Sequence, residues 1–334
     1  MRMIVIGTGP IGGIIGGRLA RAGHDLTFVD IDKQHVEAIR ANGLQIDVPD
    51  GPFTVNINIL YPHEIEGKFD VGTIAVRSNY TAEALNTVMP HLAEDGLLVS
   101  MQNGLNPPLL EQRVGAARTI GMAIRMGCRK IAPGHLQTSV PGHLYIGHLH
   151  GDTTAALNNL HVLFNSVMDT EISDNILGVL WSKLTYTCLG YFGSLADAAL
   201  AVTCVTKTDR RTLADLLTEV VAVGQAGGAR FIPLAEYNPA DFHPRNSVES
   251  RVAVVDQMAR SWNVDDRKGP LRQIKNRIKT EVDFTLGYVV QEGKRLHLAT
   301  PVCDRLLQMI RELEAGTREL GQLNYAELAA VRRA

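Results

Sequence analysis

The chain has little cysteine, no long run of one charge and no long apolar stretch, and each lack removes a class of function. Its four cysteines, Cys128, Cys188, Cys204 and Cys303, lie far apart and form no C-x-x-C pair. Neither a zinc cage nor a disulfide framework is indicated, and the four are expected to be reduced and buried. A formal net charge of −2 without a long basic run gives no footing for nucleic acid or for an anionic membrane surface. No apolar stretch approaches the ~20 residues of a membrane span. The chain opens directly into a strand, leaving no room for a signal peptide, so a cytoplasmic protein is expected. There is no internal repeat and no low-complexity tract. What remains, 334 residues of 45% hydrophobic content, fits one or two well-buried globular domains.

What is present is concentrated at the start. Residues 3 to 32 read MIVIGTGPIGGIIGGRLARAGHDLTFVDID: a short apolar strand from Met3 to Ile6, a glycine turn, a helix over Ile11 to Ala22, and a second strand from His24 to Val29. Gly7, Gly9 and Gly12 form G-x-G-x-x-G, with Thr8, Pro10 and Ile11 filling the turn. Gly7 permits the tight bend, Gly9 lets the backbone approach a pyrophosphate, and Gly12 allows close packing of helix on sheet. The helix N-terminus offers unpaired N–H groups to the phosphates. Asp30 ends the second strand, where its carboxylate can accept hydrogen bonds from the adenosine ribose. That favours NAD over NADP, with Lys33 near enough to soften the repulsion of a 2′-phosphate.

Beyond Asp30 the rhythm stays α/β. A helix is expected over Lys33 to Asn42, strands at Leu44 to Val48, Phe53 to Ile59 and Val71 to Val76, a helix over Thr81 to Leu92, and a strand from Gly96 to Met101. Such alternation implies a parallel, doubly wound sheet whose strand ends collect ligands. Arg77 and Gln102-Asn103-Gly104 sit at those ends and are placed to contact the cofactor. Thr119 to Leu149 alternates polar and apolar residues and suggests antiparallel strands appended to this domain, closed by a helix from Thr153 to Met168 and a strand at Thr170 to Ser173. Then the character changes. Apolar-periodic segments at Ile176 to Tyr191, Arg210 to Ala229, Ser247 to Ala259, Thr280 to Leu296 and Pro301 to Ala315 predict a helical second half. The expected domains are 1–172, binding the dinucleotide, and 173–334, serving substrate and dimerisation. His148 and His150 share a strand face, but no cysteine accompanies them, and they are read as surface histidines, not metal ligands.

Four landmarks in order, GTGPIGGIIGGRLARAGHDL, MQNGLN, LWSKLTYT and KTEVDFTLGYVVQEGKRLHLATPVCDRLLQMI, make the whole chain similar to the ketopantoate reductase (2-dehydropantoate 2-reductase) family. The resemblance implies a Rossmann-type α/β nucleotide domain followed by an all-α domain of the 6-phosphogluconate-dehydrogenase-like type. It also implies a nicotinamide-dependent oxidoreductase acting on a 2-oxo or 2-hydroxy acid, with homodimers expected. Reduction of a 2-oxo acid leaves an alkoxide that must be protonated and held by positive charge. The resemblance assigns that role to Lys183, on a helix of the second domain that Trp181 and Leu184 anchor by packing. It assigns Glu281 to the substrate hydroxyl region and to orienting the lysine, while its neighbour Asp283 is expected to be an ordinary acid. Asn103, in the family's N-G turn, would hold the nicotinamide or the substrate carbonyl.

The chain also departs from the family. Thr187 and Tyr191 stand where the family carries asparagines, Gly269 where it carries a serine, and Leu286 where it carries another asparagine. Ketopantoate would lose polar contacts, and a bulkier or more apolar acid is expected. Arg245, Arg267, Lys268 and Arg272 are candidate partners for its carboxylate. The alternatives are an authentic ketopantoate reductase and a dinucleotide-binding sensor without turnover.

Overall fold

A computed structural model describes residues 1–138, 140–234, 237–265 and 269–331. Arg267 and Lys268 lie outside the described residues. The chain divides into two compact units, Met1–Leu177 and Gly178–Ala334.

The first unit opens with β1 (Met3–Ile6), α1 (Pro10–Arg21), β2 (Leu26–Val29), α2 (Lys33–Asn42), β3 (Leu44–Asp47), β4 (Phe53–Val55), β5 (Asn58–Leu60), β6 (Phe69–Ile74), α3 (Thr81–Val88) and β7 (Leu92–Ser100). It continues with α4 (Pro107–Val114), β8 (Thr119–Arg125), β9 (Cys128–Ala132), β10 (His135–Thr138), β11 (His143–His148), α5 (Ala155–Asn165) and β12 (Asp169–Ile172). Eight strands form one sheet in the order β12-β11-β8-β7-β6-β1-β2-β5, and four form a second in the order β4-β3-β10-β9. From β5 through β8 every pairing in the large sheet is parallel. The chain leaves β1 toward β2 on one side and returns to β6 on the other, so the switch in strand order falls at the C-terminal end of β1, where such sheets bind ligands.

Helix α1 is sandwiched, and its glycines make that possible. A Cβ at Gly16 would stand 2.5 Å from the Phe28 ring of the large sheet, and one at Gly13 would stand 2.4 Å from Leu136 of the small sheet. Both distances are below any ordinary carbon contact, so a larger residue would push a layer away. Met3, Val5, Ile14, Leu19, Phe28, Ile46 and Leu136, all buried, share one core that spans these layers.

Two sequence-based expectations fail here for reasons of tertiary structure. The alternating run from Phe53 to Ile59 is not one strand: β4 pairs with β3 in the small sheet and β5 with β2 in the large one. The helix expected over Thr81 to Leu92 stops at Val88, and a 3-10 turn at Met89–His91 carries Pro90, which has no N–H to continue an α-helix.

In the second unit, after α6 (Ile176–Phe192), which begins at its boundary, come α7 (Leu200–Thr203), α8 (Lys207–Ala226), α9 (Val248–Ala259), α10 (Gly269–Lys275), α11 (Leu286–Arg295), α12 (Pro301–Ala315) and α13 (Leu323–Val331). The helix expected over Thr280 to Leu296 is broken. Thr280 is buried and receives the Val282 N–H on its hydroxyl, Val282–Phe284 forms a 3-10 turn, and regular helix starts only at Leu286. Cys188, Cys204 and Cys303 are buried thiols as expected, whereas Cys128 is half-buried.

Glu219 of α8 caps α12, accepting the backbone N–H groups of Val302 at 3.0 Å and Cys303 at 2.8 Å. Burial nevertheless dominates, pushing its carboxyl from an ordinary 4.5 up to about 7 against the pull of those two donors. The folded state therefore keeps a proton that the unfolded chain has lost. Stability from this group is greatest below about pH 4.5, falls as pH rises toward 7, and is flat above; the fall is on the order of 3 kcal/mol. Glu219→Gln cannot ionise, so its melting temperature should vary less between pH 5 and 7 than that of the wild type. Thermal melts across that window check this, and equal slopes would overturn it.

Candidate active site

The residues expected to bind the dinucleotide belong to the first unit. Gly7 has φ +97°, and a Cβ there would meet Val76 at 2.9 Å; a Cβ on Gly12 would stand 2.1 Å from the Gly7 carbonyl oxygen. Both positions are closed to side chains. Gly9 differs: a Cβ there would meet nothing within 4 Å, so this face of the turn is open to a ligand. Gly9 is also the N-cap of α1, where no side chain satisfies the first-turn N–H groups and no acid occupies the first turn. An uncapped, uncharged helix N-terminus behind an open glycine fits a pyrophosphate.

Thr8 is fully buried, and its N–H donates to Asp30 Oδ2 at 2.8 Å. Asp30 Oδ1 accepts the Asp32 N–H at 3.0 Å. The carboxylate is thereby fixed at the rim of the turn, with lone pairs left for ribose hydroxyls. The residues present fit a dinucleotide.

His35 was not foreseen. It is buried on α2, accepts the Gly134 N–H on Nδ1 at 2.9 Å and reaches the Thr8 carbonyl through Nε2 at the same distance. The Gly134 bond leaves the proton on Nε2, which donates to Thr8 and clamps the turn. The sequence hint was its place on the buried face of α2 with Val36 and Ile39; its partner Gly134, 99 residues away, is a tertiary fact.

At the neighbouring strand ends, Arg77 is exposed after β6 and Asn103 is exposed after β7. Buried groups beneath them join the two loops. Ser78 Oγ donates to the Asn103 carbonyl at 3.0 Å, Asn106 Nδ2 donates to both Ser78 Oγ and that carbonyl, and Gln102 Nε2 donates to the Val76 carbonyl and to Thr81 Oγ1. Ser78, Thr81, Gln102 and Asn106 thus set the course of the loops that present Arg77 and Asn103. His148, expected at the surface, is buried instead; its ring nitrogens engage the Thr119 carbonyl and Thr154 Oγ1. His150 is exposed and pairs with Glu111.

Lys183 and Glu281, the residues expected to be catalytic, belong to the second unit. Lys183 is half-buried on α6, and Trp181 and Leu184 beside it are buried as expected, the indole packing against the rings of Phe231 and Tyr288. Glu281 is half-buried and stands just before the 3-10 turn, not within a long helix. The Thr285 hydroxyl donates to the Glu281 carbonyl at 2.8 Å and lies within hydrogen-bond distance of the Tyr191 hydroxyl of α6, at 3.1 Å. The segment carrying Glu281 is therefore tied to the helix carrying Lys183. Asp283 spends its carboxylate on Arg311 and Lys279, the ordinary role expected for one of the two acids.

Of the four departures from the family, Tyr191 and Leu286 are interior. Leu286 is fully enclosed, and burial raises the Tyr191 phenol above its usual range. Thr187 is half-buried, with its hydroxyl on the Lys183 carbonyl at 3.2 Å. Gly269 is exposed. Among the carboxylate candidates within the described residues, Arg245 and Arg272 are exposed.

Comparison with known proteins extends this over the whole chain. The model of ketopantoate reductase PanE/ApbA matches residues 3–151, and that of its C-terminal domain matches residues 175–314. A 2-dehydropantoate 2-reductase of Pyrococcus horikoshii is 26% identical over 318 residues, 94% of this chain and 98% of its own. A PanE/ApbA family ketopantoate reductase from Ralstonia eutropha has the same fold, with a TM-score of 0.81 at 23% identity over 96% of this chain and 100% of its own. So does D-mandelate dehydrogenase, solved with NADH and anilino(oxo)acetate, with a TM-score of 0.80 at 19% identity over 95% and 99% of the two chains. With both domain models matched in order, the chain belongs to the ketopantoate reductase family.

Proposed function

We propose that the protein is an NAD-dependent oxidoreductase that moves a hydride between nicotinamide and C2 of a 2-oxo or 2-hydroxy acid, with Lys183 as general acid–base. The observation that carries this reading is the turn from Gly7 to Gly12, closed to side chains except on the open face of Gly9, with Asp30 fixed at its rim. Asp30 favours NAD because a carboxylate accepts from a free 2′-hydroxyl and repels a 2′-phosphate.

When bound, a reduced nicotinamide supplies the hydride that the carbonyl carbon receives. The former carbonyl oxygen is then an alkoxide; Lys183 Nζ neutralises it and passes it a proton, and in the oxidising direction the neutral amine takes the hydroxyl proton. Glu281 supplies negative charge that orients the ammonium, and Asn103 supplies an amide donor for the nicotinamide or the substrate carbonyl. Thr187 and Gly269 in place of amide and hydroxyl side chains favour an acid more apolar than ketopantoate. The name of the Pyrococcus relative favours the second reading, ketopantoate itself.

A panel of 2-oxo and 2-hydroxy acids with both cofactors, followed by nicotinamide absorbance, tests these readings. NADH should outperform NADPH, and at least one bulkier acid should exceed ketopantoate in kcat/KM. If ketopantoate ranks first, the second reading holds; no turnover with any acid would sink both. The protein should also be a homodimer. Val202, Val205 and Leu323 are exposed apolar side chains of the second unit, gathered where Gln322 Nε2 donates to the Thr203 carbonyl, and such a patch asks for cover. Light scattering giving the mass of one chain would overturn this.

A further inference from the structure

The hairpin β9–β10 belongs to the small sheet, yet it reaches the acidic end of β2 at two points. Its turn holds His35 through the Gly134 N–H, and His35 holds the Thr8 carbonyl. Its first strand sends Lys130 Nζ to Asp32 Oδ2 at 2.8 Å. Asp32 is in turn the N-cap of α2, with Oδ1 accepting the His35 N–H at 3.2 Å, and its own N–H lies on Asp30 Oδ1. Lys130 is therefore held within one carboxylate of the group that faces the ribose, at the end of a hairpin already clamped to the glycine turn.

We propose that Asp32 and Lys130 are specificity-determining residues that make the adenosine end of the site reject a 2′-phosphate. This rests on the dinucleotide reading above. Two charges act together. Asp32 adds a second carboxylate beside Asp30, and by pairing with Lys130 it neutralises a cation that would otherwise be at hand for the phosphate. The Lys130 ammonium holds the Asp32 carboxyl below the usual carboxylate range, so Asp32 stays ionised near neutral pH. Both side chains are 41% exposed, so the pair itself adds little to stability. Losing it should alter binding and leave the fold in place.

Asp32→Asn separates the charge from the cap, because an asparagine oxygen still accepts the His35 N–H and keeps α2 and Asp30 in position. Fluorescence titration of wild type, Asp32→Asn and Asp32→Asn/Lys130→Ala with NADH and with NADPH reads the effect without turnover. Asp32→Asn should tighten NADPH at least ~tenfold and change NADH less than ~threefold. Adding Lys130→Ala should take back most of the NADPH gain, since the freed ammonium is the group proposed to meet the phosphate. Equal shifts for both cofactors, or a gain that survives loss of Lys130, would overturn the assignment. Wild-type protein that binds neither dinucleotide would instead overturn the reading of the glycine turn, and this inference with it.

Discussion

Lys183→Ala lowers kcat by ~100-fold or more and leaves NADH affinity nearly intact. The lysine is proposed to act on the reacting oxygen, whereas the turn from Gly7 to Gly12 and Asp30, proposed to serve the dinucleotide, belong to the other unit. The helix survives the change, since the buried Trp181 and Leu184 hold α6 and alanine is a good helix former. Lys183→Arg should restore little. Arginine keeps the positive charge, but its proton is held too tightly for transfer near neutral pH. Glu281→Gln should fall between wild type and Lys183→Ala, because it removes an orienting charge and leaves the proton donor in place. Single-turnover hydride transfer beside NADH fluorescence titration separates chemistry from binding for each variant. Near-normal transfer in Lys183→Ala would place the proton donor elsewhere.

The parts of this protein that were legible in its sequence are those set by neighbours along the chain. The strand–turn–helix from Met3 to Arg21, α2 from Lys33 to Asn42 and α12 from Pro301 to Ala315 follow from periodicity, a capping aspartate and an N-terminal proline. What failed is decided across the chain. FTVNINI alternates like one strand, and only pairing with β3 and then β2 divides it between two sheets. The segment from Thr280 to Thr285 has helical composition, but the Glu314 carboxylate takes the Thr280 N–H at 2.7 Å and Thr280 takes that of Val282, so one distant and one local bond replace the first helical turn.

The site divides the same way. The glycines, Asp30 and Lys183 are motif residues. His35, Lys130 and the Ser78–Asn106 bond are found only once strands distant in sequence lie side by side. The pattern of departures was legible as chemistry but not as location: Tyr191 and Leu286 are core residues whose replacement of asparagines changes what the helices bury, leaving Thr187 and Gly269 as the more exposed of the four.

Gly9→Ala should weaken NADH binding by ~10- to 100-fold while barely moving the melting temperature. The backbone at Gly9, φ −68° and ψ −168°, is extended and open to alanine without strain. A Cβ there touches no protein atom within 4 Å. Alanine is a poorer N-cap than glycine by a few tenths of a kcal/mol or more, and it loses ~0.4–1 kcal/mol less chain entropy on folding, so the two effects largely offset. On the proposed dinucleotide reading, the methyl group would stand on the open side from which a pyrophosphate approaches the α1 N–H groups, and forcing a methyl into a close contact costs ~1–3 kcal/mol. Gly12→Ala is the contrasting variant. Its Cβ would stand 2.1 Å from the Gly7 carbonyl oxygen, which is backbone, so the turn itself must move and both melting temperature and NADH binding should fall. Titration and thermal melts of the two variants side by side therefore distinguish a glycine kept for the ligand from one kept for the fold. Unchanged NADH affinity in Gly9→Ala would show that the pyrophosphate does not lie against this turn.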